Sequence, residues 1–507
     1  MAAANPPHYS TLSLNTLPLY PAPDDFDISS LDRPHPGERE SRQAFDFCIK
    51  ENTNSAGDSY PWATLRLFST VPAALQRPRY IGGENIKGSV MLNLKRPRTV
   101  TSIAVLLRGR MVTSSLSEGS HTFLEVVHPI WSKASAAGPT SSATGKLQGF
   151  FEWPFSFPFP AKIRSTPSSA SKRNSTIPQG TGETGTYLTP QTVLERGVNA
   201  NVTYEVILKI TTAGLLNTKH RAIANVLYIP LIRPPSLGPL RAGAYVSEAP
   251  LLGPEQDPAG WQEIARMQLR VSESTKGGFD PISINIECTA YIANPSTYTR
   301  GTVIPCYLIC KNSPIARASE HSRLTNTLLA AFTKQQCVSL GLTQCVQYHQ
   351  DSRQALSAKF GSDFKAGSRD ERARSMDACG EAVWWTPRDV GGGTFNLEGE
   401  IHLDVGHLPS CETPFLNVSY AVTVSIKSSP DFDVSLVPQP SRIMAHGRRG
   451  SAASVLPSEP LVEFPVRIAT AHAKQGPVPT PFTPPPPRKL KDGSRVQEIQ
   501  YLRMNRR

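Results

Sequence analysis

The sequence predicts an all-β chain of two tandem β-sandwich domains with disordered ends and loop insertions. Three observations carry that expectation. Short apolar runs at period two alternate with turn-forming residues from about Pro61 to Arg233. The same texture resumes at Ile282, Ile284 and Ile286, after Pro234-Pro235 and a polar stretch interrupt it. With 46 Pro and 35 Gly among 507 residues and only 39% hydrophobic residues, a good part of the chain lies outside packed core.

Taken in order, residues 1–60 are rich in Pro, Ser and Asp with few spaced apolar side chains, and are expected to be disordered. A first sandwich covers 61–233, beginning with a strand at Trp62, Leu65 and Leu67. Its centre is Tyr80 to Gly109, where Ile86, Val90, Leu92 and Leu94, then Ile103, Val105 and Leu107, give two half-buried strands about the basic Arg96-Pro97-Arg98 break. Gly82, Gly83 and Gly88 bracket Glu84 and read as a tight turn. A phosphate-binding loop is excluded: Ser89 stands where its Lys belongs, and the segment opens a strand. Phe150, Phe151, Trp153, Phe155, Phe157 and Phe159 form an aromatic band broken by Pro154, Pro158 and Pro160. The prolines confine it to a sheet edge or corner, and its alternation favours core packing over an exposed carbohydrate or peptide platform.

A Ser/Thr-rich loop between Ala161 and Tyr187 follows. Residues 234–276 read as a linker with a short helix near Trp261 to Leu269. A second sandwich covers 277–470, interrupted by a helix over Ala316 to Phe332 that carries Leu324, Leu328, Leu329 and Phe332 at helical spacing. A charged loop runs from Asp351 to Arg374, and a Pro-rich, basic tail covers 471–507, in which Pro477 to Pro487 is expected to be a solvated spacer.

Tyr80–Gly109 resembles the signature of the arrestin amino-terminal domain: an aromatic, then Gly-Glu, a hydrophobic residue, Gly-x-Val, and a strand ending Leu-x-Gly. His121 to Trp131, Gly149 to Pro160, Val202 to Ile210 and Val226 to Pro230 resemble its later strands in order. Arg300 to Asn312, Leu408 to Ile426 and Leu461 to Ile468 resemble the carboxy-terminal arrestin domain. The resemblance implies two immunoglobulin-like, arrestin-type sandwiches and a non-catalytic cytoplasmic adaptor of the α-arrestin kind, recruited peripherally to plasma membrane or endosomes. The polar-core and activation-loop features of receptor-desensitising arrestins are not recognisable.

The candidate sites are short motifs. Pro6, Pro7 and Tyr9 form a PPxY motif and Leu17, Pro18 and Tyr20 the weaker LPxY variant. Paired prolines pre-set an extended helix and the tyrosine fills a pocket beside the aromatic groove of a WW domain, so two such ligands in one flexible segment can raise apparent affinity. By the resemblance, the partner is a WW-containing HECT-type ubiquitin ligase, held beside the cytosolic tail of a membrane transporter or receptor. The family often places such motifs in its carboxy-terminal tail; here the PPxY lies at residue 6.

Lys172-Arg173-Asn174-Ser175 and Arg448-Arg449-Gly450-Ser451 are basophilic kinase sites, and Arg173, Thr176 and Pro178 have the spacing of a phosphopeptide-binding adaptor motif, which makes Ser175, Thr176 and Ser451 candidate phosphorylation sites. The net charge of +12 is diffuse, with a concentration after Pro487 suited to solubility or an anionic membrane surface; no nucleic-acid partner is expected. Eight Cys without a C-x-x-C pair read as reduced, strand-packed thiols. His402, His407 and Cys411 lack a fourth ligand at familiar spacing, so no metal is expected; nor is a cofactor. No G-x-S-x-G or H-E-x-x-H occurs. The competing readings are a sorting-coat subunit of the same fold, a phosphorylation-controlled signalling scaffold and, more distantly, a carbohydrate-binding sandwich.

Overall fold

A computed structural model describes residues 43–51, 60–70, 77–113, 120–134, 146–164, 185–193, 200–213, 217–273, 283–312, 319–349, 372–385, 388–427, 431–437 and 460–484. The first sandwich is built from β1 (Gln43–Lys50), β2 (Pro61–Ser69), β3 (Arg79–Ile81), β4 (Asn85–Arg98), β5 (Val100–Val112), β6 (Ser120–Ser132), β7 (Leu147–Pro158), β10 (Asn201–Thr212) and β11 (Thr218–Ile229). The short pair β8 (Lys162–Arg164) and β9 (Thr186–Leu188) flanks it. One sheet has the order β1-β2-β4-β7, the other β3-β11-β10-β5-β6. Every apolar residue singled out in β4 and β5 lies inside: Ile86, Val90, Leu92, Leu94, Ile103, Val105 and Leu107 are at most 2% exposed.

After helix α1 (Pro239–Val246) come β12 (Trp261–Glu273), β13 (Ser283–Ala293), β14 (Thr297–Thr299), β15 (Val303–Asn312), helix α2 (Ser319–Lys334), β16 (Val338–His349), β17 (Arg372–Glu381) and β18 (Val383–Trp384). Then follow β19 (Arg388–Gly391), β20 (Thr394–His402), β21 (Cys411–Glu412), β22 (Leu416–Ile426), β23 (Phe432–Leu436) and β24 (Val462–Ala469). The second sandwich pairs a sheet of order β18-β20-β15-β13-β12-β23 with one of order β14-β24-β22-β16-β17. This last sheet repeats the plan of β3-β11-β10-β5-β6. In each, a short strand pairs in parallel with the closing strand, β3 with β11 and β14 with β24.

The boundaries differ from the sequence expectation in three places. β1 lies within the segment expected to be disordered: Phe45, Phe47 and Ile49 repeat at period two and half-bury one face against β2. β12 stands where a linker helix was expected. A bulge between Glu263 and Ala265 shifts the register, so Trp261, Ile264 and Ala265 are all buried at the i, i+3, i+4 spacing of a helix although the backbone is extended. The second sandwich therefore opens at Trp261. Residues 471–484 are also part of the structure, with Ala471 buried. The inserted helix is present as α2, with Leu328, Leu329 and Phe332 buried.

The aromatic band is resolved by position. β7 is an edge strand, which tolerates Pro154 and Pro158. Phe155, Phe157 and Phe159 point inward, Phe151 and Trp153 stack at the margin with ring centroids 5.5 Å apart, and Phe150 faces out.

Gly82 and Gly83 make the turn between β3 and β4. Gly83 has φ +93°, and the Glu84 carboxylate closes the turn by accepting from the Ile81 N–H at 2.8 Å. Gly88 is required for another reason: a Cβ there would sit 2.1 Å from the Arg66 carbonyl oxygen across the β2–β4 pairing. Gly88→Ala should cost about 1–3 kcal/mol, read as an earlier thermal unfolding transition by calorimetry. An unchanged transition would show that the strands do not pack this closely.

Candidate functional site

The site begins where the sandwiches meet. β11 exits through Pro230-Leu231-Ile232-Arg233 and β24 through Thr470-Ala471-His472, and the two exits bond to each other. The Thr470 hydroxyl donates to the Pro230 carbonyl at 2.6 Å and accepts from the Ile232 N–H at 2.9 Å. The Thr470 and Ala471 amides both donate to the Ile232 carbonyl at 3.0 Å. Arg233 donates to the His472 carbonyl at 2.7 Å.

The paired turns close on this seam from both sides. In the first sandwich the Gly82 N–H donates to the Ile229 carbonyl at 2.8 Å, and a Cβ at Gly82 would lie 2.7 Å from the Leu231 amide nitrogen. In the second, the corresponding turn after β14 is Arg300-Gly301-Thr302, with Gly301 at φ +82°. Arg300 is 6% exposed and reaches across the seam, donating to Gln191 Oε1 at 3.0 Å and to the His407 carbonyl at 3.2 Å. Burial pushes its pKa down to about 10, and Arg79 nearby acts in the same direction. Apolar contact completes the joint. Phe123 on β6 stacks on Phe415 at 4.8 Å, His121 lies 6.1 Å from the same ring, and the buried residues of both sandwiches form one continuous cluster.

A basic rim lies at one end of the first sandwich. Lys95, Arg96, Lys219 and Arg221 are exposed around Trp62, whose ring carries His220 at 5.0 Å and the Arg98 guanidinium at 4.4 Å. Lys95 lies 4.1 Å over Tyr60, and Arg98 pairs with Glu51. The Arg96-Pro97-Arg98 break thus becomes a corner where cations sit over aromatic faces.

A third feature is the docked tail. Glu400 on β20 is 1% exposed, and both of its carboxylate oxygens are taken by the segment expected to be a spacer. Oε1 accepts from the Thr483 N–H at 2.8 Å and from the Thr483 hydroxyl at 2.5 Å; Oε2 accepts from the Phe482 N–H at 3.1 Å. The Phe482 ring sits 6.1 Å from Tyr245 on α1 and 6.2 Å from Trp385. His402 Nε2 lies 2.9 Å from Thr483 Oγ1 and 3.2 Å from Glu400 Oε1. The trio has the residue types of a nucleophile relay, but the carboxylate and the hydroxyl meet the same imidazole nitrogen. Glu400 therefore cannot orient the ring toward Thr483 in the relay sense.

The expected motif residues Pro6, Pro7, Tyr9, Leu17, Pro18, Tyr20, Ser175, Thr176 and Ser451 lie outside the described residues. His402, His407 and Cys411 are dispersed: the first contacts the tail, the second is buried at the seam and the third lies on β21. Among the described residues no group of three or more His, Cys, Asp or Glu could hold a metal. The eight cysteines are free thiols. Against the expectation that no G-x-G-x-x-G occurs, Gly180, Gly182 and Gly185 have that spacing; in sequence they precede strand β9, whereas a dinucleotide fingerprint opens a helix. The seam polar groups and the Glu400 cradle had no motif to announce them. Gly301 beside a repeated short-strand pattern was the available signal for the former, and Phe482 between prolines for the latter.

Fold and seam define a class, a tandem β-sandwich protein in which each half repeats one sheet plan and the halves are joined through their closing strands. Within it, residues 72–229 match the family model of the arrestin (or S-antigen) N-terminal domain. No curated protein matches the chain. No helix among the described residues is long and apolar enough to cross a membrane.

The seam has a pH dependence of known sign. Burial holds the His121 pKa below its ordinary value of 6.5. Between that value and the lowered folded one, the unfolded chain binds a proton that the folded chain does not, so stability rises with pH. It is lost as pH falls below 6.5 and through the folded value. Thermal stability should accordingly drop between pH 7.5 and 5.5, and His121→Asn should flatten that drop; an equal drop in the variant would place the proton elsewhere.

Proposed function

We propose that this protein is a non-catalytic trafficking adaptor of the α-arrestin kind, which recruits a WW-domain HECT-type ubiquitin ligase to membrane transporters or receptors and promotes their ubiquitination and endocytosis. The observation that carries the reading is the combination of an arrestin N-terminal domain over 72–229 with the Pro6-Pro7-His8-Tyr9 and Leu17-Pro18-Leu19-Tyr20 motifs ahead of it. A rigid pair of domains supplies surfaces and a terminal segment supplies a tethered ligand, so the protein acts by raising effective concentration. The ligase's own cysteine does the chemistry. The basic rim at Lys95, Arg96, Lys219 and Arg221 is suited to acidic cytosolic tails or an anionic membrane surface. Localisation under this reading is cytoplasmic, with peripheral recruitment to plasma membrane or endosomes.

A second reading, a phosphorylation-controlled scaffold working through Ser175, Thr176 and Ser451, rests on the basic residues preceding these sites. The deciding experiment is titration of the full chain against isolated WW domains, with Tyr9→Ala, Tyr20→Ala and both together. Micromolar binding that falls at least tenfold with Tyr9→Ala, and further in the double variant, is the expected result. Binding unaffected by either substitution, or none to any WW domain of the host's ligases, removes ligase recruitment.

A further inference from the structure

The docked tail carries a feature that the adaptor reading does not use. Pro481-Phe482-Thr483-Pro484 places a threonine between a proline at −2 and a proline at +1, the sequence that proline-directed kinases select. The same threonine anchors the tail. Its hydroxyl and amide both bond to Glu400 Oε1, its neighbour's amide bonds to Oε2, and its remaining bonded contact is His402 Nε2. Glu400 sits at 1% exposure, so little solvent screens what is placed against it.

We propose that Thr483 is a phosphorylation site for a proline-directed kinase, and that its modification undocks residues 477–484 from the second sandwich. In the transfer, the Thr483 oxygen bonds to the γ-phosphorus of Mg-ATP as the bond from that phosphorus to the β–γ bridging oxygen breaks. The hydroxyl proton passes to the kinase's base, and ADP leaves. The product has lost the donor that Glu400 accepted from and carries nearly two negative charges. A hydrogen bond to a buried carboxylate becomes like-charge contact with it, and the added phosphate does not fit a position filled to hydrogen-bond distance. Among the described residues bonded to Thr483, His402 has the one basic side chain, and a single imidazole does not offset a dianion placed beside a carboxylate.

Thr483 is half-buried when docked, so the kinase must take the tail from its undocked population and prevent its return. Release uncovers Tyr245 and Trp385, which the Phe482 ring covers, together with the Glu400 carboxylate. Thr480, three residues away, is an internal control: it precedes Pro481, is exposed, and has no bond to Glu400.

The test treats the full chain with a purified proline-directed kinase and Mg-ATP, maps the phosphate by mass spectrometry, and follows amide exchange across 477–484. Pro477, Pro479, Pro481 and Pro484 have no amide proton, so Phe482 and Thr483 supply much of that signal. The proposal expects phosphate on Thr483 and at least tenfold faster exchange of the segment. Thr480→Ala should leave that response intact, Thr483→Ala should abolish it, and Glu400→Gln should reduce it. Glu400→Ala, which undocks the tail directly, separates access from selectivity. No phosphate on Thr483 in that variant, or phosphorylated Thr483 whose segment stays as protected as before, overturns the proposal.

Discussion

The Thr470 side chain, the Ile232, Thr470 and Ala471 amides and the Arg233 guanidinium hold the closing strands of the two sandwiches together. Where β11 and β24 leave their sheets, each strand has carbonyls and amides with no further ladder to join. At the seam these orphan groups satisfy one another: Thr470 bonds to Pro230 and Ile232, and Ala471 to Ile232. Thr470 is 3% exposed, so leaving those groups unpaired would cost about 1–3 kcal/mol for each. The two glycine turns and Arg300 lie beside this joint because β3 and β14 pair with the strands it ties, while the Phe123–Phe415 stack closes the interface from another part of each sandwich.

Duplication explains why the joint lies there. Both sandwiches place a short strand parallel to the closing strand and follow it with a glycine turn, at Gly82-Gly83 and at Arg300-Gly301. Two copies of one plan set end to end bring two equivalent turns to one interface. The second copy has an arginine where the first has a glycine, and that arginine bridges to Gln191. A partner binding across both sandwiches would therefore meet one preformed surface. Under the proposed adaptor function this is an advantage, since order already present in the free protein is not lost on binding.

The sandwich strands were legible because burial on one face leaves a period of two: Val90-Leu92-Leu94 and Ile103-Val105-Leu107 need no other information. β12 was misread because one bulged residue converts that period into something that looks helical, and a bulge is set by the partner strand β13. β1 was missed because Phe45, Phe47 and Ile49 are only half-buried and sit in a segment whose composition is otherwise polar. The seam and the Glu400 cradle are tertiary: Thr470 and Ile232 are 238 residues apart in sequence, and Glu400 and Thr483 83. No local pattern encodes such a pairing. The motif residues near the amino terminus are the reverse case, since a short linear ligand is written entirely in sequence and needs no fold around it.

The central structural claim is that the sandwiches act as one body joined at Thr470. It is tested most directly by native-state amide exchange at Ile232 and Thr470. The account predicts that both amides are protected to the same degree as the cores of β11 and β24, and that Thr470→Val lowers protection on both sides of the seam together. Fast exchange at these two amides beside fully protected strands would show instead two independent domains on a linker.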